Sequence, residues 1–69
     1  MAVKVLRSYF EKIVNGVNYV RAEIAVDSSS DLTTTVGAGT LTAGSIAWDV
    51  STGDFYGLDS DGTWHKQGE

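Results

Sequence analysis

The chain has no cysteine, one histidine, only five lysines and arginines, and no long apolar run. Without cysteine it cannot form the disulfides that staple many small secreted domains, and nothing marks an oxidising compartment. With His65 alone, a zinc site of ordinary composition is excluded too. The formal charge of −4 and a pI near 4.6 argue against a nucleic-acid partner. Such a partner calls for lysines and arginines clustered along one face to displace counterions from phosphates. No apolar stretch approaches the ~20 residues that span a bilayer, so no membrane partner is expected. Met1-Ala2-Val3-Lys4 lacks the apolar region of a signal peptide, and the mature protein is expected to begin where the sequence does.

The 69 residues suffice for one domain, and a domain this small buries only ~60% of the surface that its unfolded chain exposes. Lacking disulfide and metal staples, such a chain gains stability by oligomerising or by docking onto a larger assembly. A homo-oligomer is therefore expected.

Residues 3–26 fit two patterns. Leu6, Tyr9, Phe10, Ile13 and Val14 recur at helical spacing. Asn15-Gly16, however, is the favoured pair of a type I′ turn, and the flank Val17 to Val26 alternates as a strand does. The hairpin is the preferred reading. Counting outward from the turn pairs Val14 with Val17, Glu11 with Val20, Tyr9 with Ala22 and Val5 with Val26. One face then holds Val3, Val5, Tyr9, Ile13, Val20, Ala22, Ile24 and Val26. The other holds Lys4, Ser8, Lys12, Arg21 and Glu23 together with Leu6, Phe10, Val14 and Tyr19, and a partner is expected to cover part of it.

Residues 27–44 shift to Ser, Thr, Gly and Asp and form an irregular connection, with Leu32, Val36 and Leu41 as anchors and Asp31 placed to cap a helical turn. Residues 45–67 hold three β-type runs, Ser45 to Val50, Asp54 to Leu58 and Thr63 to Gln67, separated by Ser51-Thr52-Gly53 and Asp59-Ser60-Asp61-Gly62. Both intervals have hairpin-turn composition with glycine at the left-handed position. The fold class is all-β: a small single domain, an N-terminal hairpin plus a three-stranded antiparallel meander packed against it.

Candidate chemistry is sparse. Asp49, Asp54, Asp59 and Asp61 invite a calcium reading, but no EF-hand spacing starts at Asp49 or Asp59, and turn carboxylates that accept local N–H bonds account for all four. His65 has no nucleophile elbow or comparable partner arrangement in the sequence and reads as a surface side chain. Gly37-Ala38-Gly39 lacks the residues that complete a phosphate-binding turn. Trp48 and Trp64 are expected in the core, with a sugar-stacking platform as the alternative. No catalytic, cofactor-binding or metal-binding residues are assigned. Leu6, Phe10, Tyr19 and Tyr56 are the candidate contact residues, and no enzymatic activity is expected.

The stretch Gly44 to Tyr56, followed by Asp61-Gly62-Thr63-Trp64-His65-Lys66-Gln67, resembles a recurrent element of tailed-bacteriophage and prophage virion proteins. In that element an Asp-Leu-Pro start and a Gly-rich loop lead to a strand, a Thr-Gly turn, an aromatic strand and a Gly-Thr-Trp ending. Asp31-Leu32 matches the start, with Thr33 in place of proline, and the similarity covers roughly residues 27 to 67. The resemblance implies a virion structural protein, located in the virion and in host cytoplasm during assembly. It carries over no catalytic residues. A small decoration or accessory protein of the capsid is the expected role, and a tail or fibre component binding bacterial surface glycans is the alternative.

Overall fold

The computed structural model describes residues 3–67; the Met1-Ala2 start discussed above lies outside the described residues. It is all-β, with strands β1 Val3–Val14, β2 Val17–Val26, β3 Thr35–Val36, β4 Gly39–Leu41, β5 Ile46–Asp49, β6 Asp54–Leu58 and β7 Trp64–Lys66. Asn15 at φ 51° and Gly16 at φ 79° close the first hairpin, and Gly53 and Gly62 take the positive φ that the meander turns require. The loop between β5 and β6 also includes Val50. A 3₁₀ turn spans Ser29–Asp31, with Ser28 at its cap. Asp31 ends that turn, contrary to the expected capping role.

The seven strands form one sheet, ordered β3-β4-β2-β5-β6-β7, with β1 on the other edge of β2. The three-stranded antiparallel meander β5-β6-β7 packs its Ala47, Leu58, Tyr56 and Trp64 with the hairpin's buried residues, as expected, and it also joins the hairpin's sheet. β5 pairs in parallel with β2 from Glu23↔Ile46 to Val26↔Asp49. The irregular connection supplies two further strands, of which β4 pairs in parallel with β2 at Tyr19↔Thr40 and Val20↔Leu41. Two short strands thus share one edge of β2 in succession.

Alternation along β2 sets the core. Val20, Ala22, Ile24 and Val26 are buried with Leu41, Ala47 and Leu58, and Val3, Leu32, Val36, Tyr56 and Trp64 pack around them. We call this the inner face.

β1 has 12 residues against 10 in β2, and two bulges absorb the difference, between Phe10 and Lys12 and between Val5 and Arg7. Val14 pairs with Val17 as expected. Beyond the first bulge, Phe10 rather than Glu11 opposes Val20, and Ser8 rather than Tyr9 opposes Ala22; beyond the second, Val3 rather than Val5 opposes Val26. The bulges change which side chains share the face of the buried β2 residues: strict alternation would set Glu11 opposite Val20 and Arg7 opposite Ile24, where Phe10 and Val5 stand instead. The first bulge removes both from the inner face, and the second returns Val3 and Val5 to it while Lys4 stays outside.

Where β4 ends and β5 begins, the ladder along β2 is interrupted. Thr42 N–H donates to the Val20 carbonyl at 2.9 Å, and the fully buried Ser45 hydroxyl accepts the Ala22 N–H at 3.1 Å. Replacing Ser45 with Ala leaves that buried amide without an acceptor, so urea denaturation should show a loss of about 1–3 kcal/mol. An unchanged midpoint would mean that the seam does not need the hydroxyl.

Gly39, at φ 147°, abuts the hairpin so closely that a Cβ would lie 2.5 Å from the Asn18 carbonyl oxygen. Gly53, at φ 81°, faces open space. Ala at Gly53 should cost ~1–3 kcal/mol through backbone strain alone, and Ala at Gly39 more, because backbone must move. Equal thermal shifts would remove the distinction.

Candidate interaction surface

The polar groups of the meander are committed to its turns. Asp49, only 2% exposed, accepts from Ser51 N–H at 3.0 Å and Ser51 Oγ–H at 2.7 Å. Asp54 accepts from Thr52 Oγ1–H at 2.9 Å and lies 3.5 Å from Lys66 Nζ. Asp59 Oδ1 accepts from the N–H groups of Asp61 and Thr63, both at 2.9 Å, and its Oδ2 lies 2.6 Å from His65 Nε2. Asp49 and Asp54 share one turn, whereas Asp59 and Asp61 sit at the opposite end of β6. Among the described residues no group of three or more His, Asp or Glu is placed to hold a metal. The Asp49, Asp54 and Asp59 carboxylates accept local donors in their turns, whereas Asp61 takes part through its backbone N–H.

The aromatic side chains divide by face. Trp64 packs against the core and donates Nε1–H to the Thr33 carbonyl at 3.1 Å, pinning the irregular connection to β7. Trp48, expected in the core, is on the outer face, 39% exposed and stacked on Phe55 with ring centroids 6.3 Å apart and planes within 12°. Its neighbour Ala47 takes the buried position, because the alternation of β5 faces Ala47 towards Ile24. Phe55 and Tyr56 point to opposite faces: Tyr56 packs against the core and Phe55 is exposed. Tyr56 is therefore half-buried against the core, not fully exposed.

The remaining candidates lie on the hairpin. Leu6 and Phe10 are exposed and Tyr19 is half-buried. The register separates Phe10, which shares the inner face with Val20, from Tyr19, which shares the outer face with Lys12. The expected common face does not exist. Tyr19 lies under Lys12 Nζ, 5.5 Å from its ring centroid, and Tyr9 lies 4.5 Å from the Arg21 guanidinium carbon. Both geometries permit cation–π attraction. A side-chain hydrogen bond with Tyr9 also raises the Arg7 pKa.

What the sequence did not reveal is how completely β1 is left uncovered. Val5, Leu6, Tyr9, Phe10, Ile13 and Val14 range from 37% to 62% exposed. The connection closes over the inner face only as far as the start of the strand, where Val3 and Val5 border a cleft with Thr33, Thr35 and Val36. Comparison with family models, curated proteins and solved structures finds no match to this chain.

Hydrogen bonds hold Asp49 and Asp59 below the ordinary carboxylate range, from Ser51 chiefly for the first and from Thr63 and then His65 for the second. A depressed folded pKa stabilises above the unfolded value of ~3.9 and ceases to do so as pH falls through the folded value. Melting temperature should therefore fall below about pH 4. Asp59→Asn should melt lower than the native chain near neutrality but lose less on acidification, so the two curves converge. Parallel curves would exclude Asp59 as a source of the acid limb.

Proposed function

We propose that this chain is a non-enzymatic virion component of a tailed phage or prophage, a small accessory protein that docks in several copies on the capsid. The observation that carries the docking reading is β1, where six large apolar side chains on one strand stand a third or more exposed. Val5, Phe10 and Ile13 share its inner face, and exposed apolar side chains grouped on one face mark interaction sites. The choice of a virion as the assembly rests on the sequence resemblance. The hydrogen-bonded acidic turns and the short strands support a structural rather than a catalytic role.

A tail or fibre role with glycan binding is favoured by one observation, the exposed Trp48–Phe55 pair on the outer face. The two readings place their contacts on different surfaces. On the capsid reading, replacing Phe10 and Ile13 with Ser should sharply reduce co-sedimentation with tail-less capsids while the β-type circular dichroism is kept. Trp48→Ala should then have little effect. Undiminished capsid binding by the Phe10 and Ile13 variant, with loss of polysaccharide binding in Trp48→Ala, would reverse the preference.

A further inference from the structure

β1 pairs with β2 and with no other strand among the described residues, so its second edge is unpaired along the whole strand. We propose that this edge pairs with β1 of a second copy, antiparallel about a two-fold axis through Tyr9. The inference deepens the assembly reading above by naming the first partner as another copy of the chain.

The direction of the peptide groups follows from β2. Its inner-face residues send their hydrogen bonds away from β1: Ala22 N–H goes to Ser45, and the carbonyls of Val20 and Val26 accept from Thr42 and Val50. Peptide groups alternate sides along a strand, so the ladder to β1 runs through the outer-face residues of both strands. The inner-face residues Val5, Ser8, Phe10 and Ile13 accordingly turn their N–H and C=O groups to the free edge. Those groups are the hydrogen-bonding capacity of the edge.

Bulges usually blunt an edge. Here the two bulges lie symmetrically about Tyr9, with Leu6-Arg7 on one side and Glu11-Lys12 on the other. Moving outward from Tyr9 both ways, Ser8 and Phe10 are on the inner face, then come the two bulges, then Val5 and Ile13 on the inner face, then Lys4 and Val14 on the outer face. The strand thus matches its own reversed copy face for face, and no further bulge is needed. Val5 and Ser8 come opposite Ile13 and Phe10 of the second copy, in positions where both residues offer peptide groups to the seam.

Side-chain chemistry agrees with this register. Arg7 comes level with Glu11 of the second copy, the aliphatic stem of Lys12 with Leu6, and the small Ser8 leaves room for Phe10. A two-fold moved to Ser8 would set Lys4 against Lys12 and Val5 against Glu11, and like charges directly opposite destabilise a pair. The pairing also joins the exposed Val5, Phe10 and Ile13 of both copies into one apolar strip on a single side of the enlarged sheet.

The native chain has no cysteine, so Tyr9→Cys provides a direct test. Directly opposed residues of a non-hydrogen-bonded antiparallel pair have Cα atoms ~4.5 Å apart, within disulfide reach. Oxidation of the otherwise native chain carrying Tyr9→Cys should yield covalent dimer several times faster than Ser51→Cys, a control in the β5–β6 loop. Adding Arg7→Glu should slow cross-linking, and adding Glu11→Arg to that variant should restore it. Independently of any substitution, the native chain should sediment as a concentration-dependent dimer. Cross-linking no faster than the control, together with a strictly monomeric native chain, overturns the edge pairing. Retained capsid binding in that case would leave the virion reading standing, whereas a dimer that binds no particle would uphold the pairing and remove the virion reading.

Discussion

A strand whose alternate side chains are fully buried cannot leave its peptide groups unpaired, because each orphaned buried amide costs free energy comparable to a lost hydrogen bond. β2 is that strand, and the topology around it follows from satisfying both its edges. β1 covers one edge along its whole length. The other is shared by β4 and β5, and where neither reaches Ala22 the Ser45 hydroxyl does. The parallel pairing of β5 with β2 requires a crossover, and the crossover is residues 27–45. Its Leu32, Val36 and Leu41 then fall on the inner face, where they supply the cover that a lone hairpin and meander lack.

The local parts of this arrangement were legible in the sequence. Asn15-Gly16, Gly53 and Gly62 each stand where a positive φ is needed, and short-range turn chemistry announces itself through residue type. The non-local parts were not. Nothing in Ile46-Ala47-Trp48-Asp49 states that it lies beside Glu23 to Val26, since parallel pairing leaves no turn between the partners. Nor does alternation say which face is inward: it fits Trp48 in the core as readily as Ala47, which occupies it. Size decides here: Ala47 and Ala22 are both fully buried, and a ring in place of Ala47 would have no volume to fill.

The bulges are an intermediate case. No turn residue marks them, yet they have a sequence signal in the conflict that strict alternation creates at Glu11, Arg7 and Lys4. Counting back from the turn with period two puts each of the first two on the core face, and correcting once for Glu11 puts Lys4 there. Two insertions resolve all three conflicts, which is what the 12-residue and 10-residue strands show. The candidate contact surface inherits this result: Phe10 and Tyr19 part company because of a single extra residue between them.

The same two bulges divide the hairpin chemically. Lys4, Arg7, Lys12 and Arg21 all lie on its outer side, where Glu23, Tyr9 and Tyr19 interleave with them, whereas Val5, Phe10 and Ile13 lie on the inner side. In the meander, Asp49, Asp54 and Asp59 are held in its turns by local donors. A net charge of −4 therefore conceals a hairpin whose outer face gathers cations and whose inner face is apolar. Any partner that covers the apolar residues must approach from the side of the crossover, with Val36 and Thr35 at the rim of the contact. An acidic partner approaching from the other side would meet the cations instead. The two faces of one hairpin thus suit partners of different chemistry, and that difference arises from where β1 breaks its alternation.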